Sequence, residues 1–291
     1  MTITAAQRLE LQGPNDALYN YCLWQYPPAR PTGGKLASSN LLYESFDLLN
    51  AGDSAYELVD RIRSGIGLFR SVWGLKRAGN LFAWEYYFYD YRRVGRERSM
   101  SRVLQAMAPL VCCDVTPNED LHYFMFSLDI DHALLSGARA MDEIHMYIGN
   151  AGSQVSSGIS YSVKRDCTRL ENFYFFFRPA EQMQDIVTKI RCSAFMDQYW
   201  AAMDDILWPE LVNCSTICLA NKRGNDCIYF SGIDVDQLLV FLRRMAYPAA
   251  IIAYVESNHD RLDHLLYDVG LDYVIRGDHA EIVKSAYYGV F

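Results

Sequence analysis

The feature that most constrains this chain is a period-two alternation of apolar and polar residues in segment after segment, because successive side chains of a strand point to opposite faces of a sheet. In Glu143-Ile144-His145-Met146-Tyr147-Ile148, the isoleucines and Met146 share one face, and Glu143, His145 and Tyr147 share the other. Ile159, Tyr161 and Val163 likewise oppose Ser160, Ser162 and Lys164. Phe173, Phe175 and Phe177 oppose Asn172, Tyr174, Phe176 and Arg178, and Ile228 with Phe230 opposes Cys227, Tyr229 and Ser231. In an open two-layer α+β sheet, the apolar faces would pack on helices and the polar faces would meet water. A solvated face would be rich in Glu, Asp, Gln and Thr. These faces instead bring Lys76, Lys164, Arg178, Lys222 and Lys284 together with Tyr147, Tyr174, Tyr229 and Tyr288. The chain holds 21 Tyr and 14 Phe, more than an average core calls for, and many of the tyrosines fall in these strands. The pattern predicts closure. The expected fold is α+β, an antiparallel closed barrel of ~10 strands with helices outside and a polar chamber wide enough for a ligand.

Along the chain, residues 1–38 read as an N-terminal extension, partly helical, whose YPPARPTGGK stretch breaks any helix and forms an exposed connection. Residues 39–291 read as a single barrel domain. Two short helices open it, at 40–49 and 55–63, followed by strands at 69–76 and 81–91 around the turn Arg77-Ala78-Gly79-Asn80. A helix at 99–111 precedes strands at 122–131 and 142–148, and a Gly/Ser loop from Gly149 precedes strands at 158–165 and 170–178. Pro179 opens a helix reaching 192, with more helical spacing near 199–207. Strands at 216–222 and 227–231, a helix at 235–245, a strand at 249–255, a helix at 260–267 stopped by Gly270, and strands at 271–275 and 282–288 complete the count. Pairs of strands mostly followed by a helix make a structural repeat, although no sequence repeat is visible.

Several classes are disfavoured. A formal charge of −8 opposes non-specific attraction to nucleic acid or an anionic membrane. No apolar run approaches the roughly 20 residues of a membrane helix, and the N-terminus lacks an export pattern, so the expectation is a cytoplasmic protein. Eight cysteines occur without a CxxC pair or a histidine at zinc-finger spacing, and most lie in apolar segments as small hydrophobes. There is no DDxxD, since Asp204-Asp205 continues as Ile-Leu-Trp, and no P-loop, GxGxxG or nucleophile motif.

Strand pairs followed by helices around a basic, tyrosine-rich chamber resemble the ABBA prenyltransferase barrel, and most of all the cyanobactin-type peptide prenyltransferases. SLDIDHALLSGARAMDEIHMYIG at 127–149, ANKRGNDCIYFSGI at 220–233 and AEIVKSAYYGVF at 280–291 carry the likeness. The chain departs from that pattern in three places. A Gly/Ser loop at 149–158 stands where a helix is expected, Trp84 and Glu85 lie where a basic residue is expected, and Leu271–Ile275 adds a strand.

The resemblance implies transfer of a dimethylallyl or longer isoprenyl group from an allylic diphosphate donor to a peptide or aromatic acceptor. Mg2+ would be bound through the diphosphate, with no organic cofactor. Lys76, Lys164, Arg178, Lys222 and Lys284 would stabilise the leaving diphosphate, while Tyr147, Tyr174, Tyr229 and Tyr288 would shield the allylic cation and reach the phosphates. Glu85, mid-strand among aromatics, is the candidate general base with a pKa raised by burial. His145 is the other titratable group, as base or diphosphate donor. Lys284, Ala286 and Tyr288 are expected on one inward face, with the small Ala286 leaving room for a ligand. The alternatives are a non-catalytic ligand-binding or sensor barrel, which needs the cations and tyrosines but no base, and an open α+β interaction protein whose aromatic strands are core.

Overall fold

The structure is a computed structural model and describes residues 3–68, 71–92, 94–150, 156–193 and 203–291. After a short 3-10 turn, β1 (Leu18–Tyr19) and β2 (Gln25–Tyr26) pair as a small separate hairpin. Helices α1 (Ser39–Leu48) and α2 (Asp53–Ile66) follow. Then come β3 (Ser71–Ala78), β4 (Leu81–Tyr89), α3 (Met100–Met107), β5 (Met125–Ile130), α4 (His132–Leu135), β6 (Glu143–Asn150), β7 (Ser156–Lys164) and β8 (Thr168–Phe177). The remainder is α5 (Pro179–Arg191), α6 (Met203–Ile206), β9 (Thr216–Asn221), β10 (Asp226–Ile233), α7 (Val235–Arg244), α8 (Ala249–Ser257), α9 (His259–Leu262), β11 (Tyr267–Arg276) and β12 (His279–Val290).

Ten strands, β3 to β12, form one closed barrel in which every neighbouring pair is antiparallel and β12 pairs with β3 to complete the ring. Closure removes the sheet edges that would otherwise expose unpaired N–H and C=O groups. Period-two alternation sorts the side chains as the sequence predicts. Trp73, Leu75, Trp84, Tyr86, Phe126, Ile144, Ile228 and Phe230 join one apolar cluster with helix residues Leu41, Leu58, Val59 and Phe241. Val72, Tyr87, Tyr89, Met125, Tyr147, Ala286 and Tyr288, from the other strand faces, form a second cluster. Burying a side chain such as Leu58 or Phe241 completely contributes about 1.5–3 kcal/mol, so the first cluster drives assembly. Polar chemistry fixes the helix starts. The Asp234 carboxylate accepts from Gln237 N at 2.9 Å in a capping box on α7, and Asp131 caps α4.

Three expectations are corrected. Residues 249–255, read as a strand, lie in α8, because an unbroken apolar run suits either state and Pro248 with three alanines favours helix here. The 260–267 helix ends at Leu262, and Gly270 is no helix stop but a mid-strand residue of β11. Of the expected 149–158 loop, residues 149–150 and 156–158 belong to β6 and β7, and 151–155 lie outside the described residues. Of the helical stretch near 199–207, residues 203–206 form α6 and 199–202 lie outside the described residues.

His264, just beyond α9, is buried, and neither ring nitrogen has a hydrogen-bond partner among the described residues. Burial, with Lys35 nearby, pushes its pKa down to about 4 despite the adjacent Asp263 carboxylate. The folded value lies below the ordinary 6.5, so unfolding takes up a proton. The stability contributed by neutral His264 is complete above pH 6.5 and is lost as the pH falls toward 4. His264→Leu is expected to remove about 1–3 kcal/mol of that pH dependence, read as a smaller drop in urea midpoint between pH 7 and pH 4.5.

Candidate functional site

The lumen is differentiated along its axis. At one end, short turns join β3 to β4, β7 to β8, β9 to β10 and β11 to β12; at the other, helical segments link β4 to β5, β8 to β9 and β10 to β11. The turn end is ionic. Lys76 Nζ bridges Glu85 Oε1 at 3.1 Å and Asp129, while Lys222 and Lys284 flank Asp272, with Lys284 Nζ 3.2 Å from Oδ2. The Asn225 amide also donates to Asp272 at 2.8 Å. Three lysines thus face three carboxylates.

Glu85 is buried, and its Oε2 accepts from the Tyr87 and Tyr288 hydroxyls, each at 3.0 Å. Burial pushes its pKa up, but the charges of Lys76 and Lys284 and the hydrogen bonds from Lys76 and Tyr288 outweigh it and hold the carboxyl well below the usual range. The expectation of a raised pKa is therefore corrected, because the lysines that the polar faces supply are aimed at Glu85 itself.

A second polar group lies beside the first. His145 Nδ1 is 2.9 Å from Glu171 Oε2, Ser160 Oγ donates to the same oxygen, and Ser162 donates to Glu143. Burial disfavours protonated His145, but the bond to Glu171 and that carboxylate's charge outweigh it and raise the pKa above the ordinary value. Donor atoms of Glu143, His145 and Glu171 all lie within 4.8 Å of one another, the spacing of a possible metal ligand set. Lys164 sits at the rim, 47% exposed and 3.7 Å from Glu143. Arg178 is at the opposite end of the barrel, 75% exposed and 3.7 Å from Glu181. The structure thus brings together Lys76, Lys222 and Lys284 and leaves Lys164 and Arg178 apart from them.

Above the ionic end lies a belt of tyrosines. Tyr87, Tyr147, Tyr174, Tyr229 and Tyr288 project inward from five strands, and Tyr21, from the loop between β1 and β2, inserts among them. The Tyr21 ring lies 5.2 Å from both Tyr87 and Tyr288; Tyr147 and Tyr174 are 5.7 Å apart, and Tyr229 and Tyr288 6.5 Å. Two of these rings rest on glycines of neighbouring strands, where a Cβ on Gly74 would lie 2.4 Å from Tyr288 and one on Gly270 2.7 Å from Tyr229. Burial raises the pKa of the belt phenols, so they remain hydrogen-bond donors. Lys284, Ala286 and Tyr288 do share the inward face, whereas Tyr287 packs on Trp73 and Tyr247 on the other. Beyond the belt, toward the helical end, is a cavity of about 900 Å³ walled by Tyr89, Phe124, Phe176, Cys218 and Asp268 among others. Lys76, Lys222 and Lys284 are not in its wall.

Sequence reasoning missed Tyr21, Tyr87, Asp129, Glu171, Asp268 and Asp272. Asp129 and Asp272 fall inside the expected strands, alternating with Leu128 and Ile130 and with Leu271 and Tyr273, and a strand begun at Tyr267 adds Asp268 and Gly270 to the same face. Glu171 faces the lumen because the β7–β8 register skips it, pairing Ser160 with Asn172 and Tyr161 with Leu170. Tyr21 carries no periodic signal.

No protein-family model matches this chain, and no curated protein matches it. Fold and site define a closed ten-stranded antiparallel barrel with an ion-paired end, a tyrosine belt and an aromatic cavity. Among the described residues, no helix is long and apolar enough to cross a membrane.

Proposed function

We propose that this chain is a prenyltransferase of the ABBA type, with helices clothing the outside of its barrel. It moves a dimethylallyl or longer isoprenyl group from its diphosphate to a peptide or aromatic acceptor. The observation that carries this reading is the tyrosine belt between the lysines and the cavity. An allylic cation formed at the belt is stabilised by ring faces and shielded from water, while phenol hydroxyls and lysines stand on the side where the diphosphate leaves.

The charge balance adds a requirement. Because Lys76, Lys222 and Lys284 are already matched by Glu85, Asp129 and Asp272, a diphosphate needs a further cation to be held there. Mg2+ would fit that need, and Asp129, 44% exposed, would be the carboxylate to hold it beside the diphosphate.

Incubation of the protein with Mg2+, allylic diphosphates of five, ten and fifteen carbons and a panel of peptides and phenols, read by mass spectrometry, is expected to yield prenylated product. Donor binding measured by calorimetry is expected to weaken about tenfold or more on adding EDTA. Neither transfer nor diphosphate binding with any donor would remove this reading.

The ion pairing of all three central lysines favours a second reading, a non-catalytic barrel that binds a small aromatic or anionic ligand. Tight ligand binding without turnover distinguishes it.

A further inference from the structure

The geometry points to Asp268 as the group that accepts the proton of the attacking acceptor, an aromatic molecule or side chain bearing an O–H or N–H and held in the cavity. This inference rests on the prenyl-transfer reading.

Asp268 lies on the lumen face of β11, paired in register with Ser231 of β10 and Tyr288 of β12. It forms part of the cavity wall yet is only 4% exposed, and its Oδ1 has no hydrogen-bond partner among the described residues. A buried acceptor left unpaired costs about 1–3 kcal/mol, and more when it carries charge, a cost that taking up a proton relieves. Tyr89, Phe124 and Phe176 give the same cavity aromatic walls, which suit a phenol or an indole.

The contrast with Glu85 is one of partners. Glu85 is held by Lys76, Tyr87 and Tyr288, whereas no Lys or Arg among the described residues is ion-paired with Asp268. Among the described residues, the titratable side chains facing Asp268 include Cys22, Tyr26, Tyr89, Cys214 and, across the ladder, Tyr288, and burial raises the pKa of each, with both thiols pushed up to about 12. Burial raises the Asp268 pKa to about 7, although the Ser231 hydroxyl and the backbone N–H groups of Tyr21 and Gly232 partly offset it. A base near the working pH combines an ionised fraction with a real affinity for protons.

The acceptor heteroatom bonds to C1 of the allylic group, the C1–O bond to diphosphate breaks, and the diphosphate leaves with the electron pair. The proton on the heteroatom passes to the Asp268 carboxylate and from there to solvent. Because Asp268 pairs in register with Tyr288 of the belt, an acceptor in the cavity is on the correct side to meet the allylic carbon.

Asp268→Asn keeps the shape and removes the base. It is expected to lower kcat by about 100-fold or more for phenol- and indole-bearing peptides, while donor affinity stays within about twofold and the melting temperature does not fall. The wild-type profile of kcat/KM is expected to drop below about pH 7, a limb that does not depend on any variant folding. Asp268→Asn with transfer within about threefold of wild type, or a wild-type profile flat from pH 5.5 to 8, overturns the role of Asp268 while leaving prenyl transfer intact. A wild-type protein that transfers nothing overturns the prenyl-transfer reading itself, and this inference with it.

Discussion

Lys76→Met should destabilise the fold by about 3–5 kcal/mol, because it strips the ammonium from a buried carboxylate without removing the carboxylate. Glu85 is 5% exposed, and in the mutant its charge would face two phenol donors but no cation in contact. The double variant Lys76→Met/Glu85→Gln is expected to regain most of the loss, since a neutral amide can still accept from Tyr87 and Tyr288. A double-mutant cycle from urea denaturation measures the coupling. A loss below about 1 kcal/mol for Lys76→Met would mean that the pair carries little. The pH dependence has a definite sign. Glu85 has a folded pKa below its ordinary 4.5, so its contribution is complete above that value and is lost as the pH falls below it. In Lys76→Met this acid limb should shrink.

The second large effect is expected at Gly74. Its Cα side faces the Tyr288 ring so closely that a Cβ would sit 2.4 Å from Cδ1, and Tyr288 is fixed by its hydroxyl on Glu85. Gly74→Leu cannot be relieved by a flexible side chain and must push the ring away, breaking the hydrogen bond. The expected cost is about 3 kcal/mol, with a loss of thermal midpoint of several degrees. Gly74→Leu combined with Tyr288→Ala should be more stable than Gly74→Leu alone, because the ring no longer occupies the same space. A combined variant less stable than both single variants would show that steric exclusion by Tyr288 is not what Gly74 provides.

The barrel was legible because period two is a local property: Ile144, Met146, Tyr147, Tyr229 and Ile228 fall on the expected faces. Closure was legible from what those faces carry. The site was only half legible. Lysines and tyrosines were found, but their carboxylate partners come from strands elsewhere in sequence, as Lys76 with Asp129 and Lys222 with Asp272. Pairing of that kind depends on register across the ring, which no single segment encodes. It also reversed the expected electrostatics of Glu85, since burial read from one strand omits the lysine on the next. The Gly270 position misled for a similar reason. Coming after helical spacing it reads locally as a helix stop, whereas the residue that requires it is Tyr229 on the neighbouring strand.

The ring has one seam whose consequence is kinetic. β3 is the first barrel strand along the chain and β12 the last, and the ladder from Val72 to Arg77 finds its partner only in Ser285 to Val290. Until that pairing forms, every folding intermediate presents two open strand edges, one on β3 and one at the advancing end of the sheet. Closing so non-local a contact must overcome loop entropy before any of its hydrogen bonds are gained, which makes late ring closure the natural rate-limiting event and refolding slow for a chain of this length. During that interval the exposed edges are the route to association between chains, so refolding yield should fall as protein concentration rises.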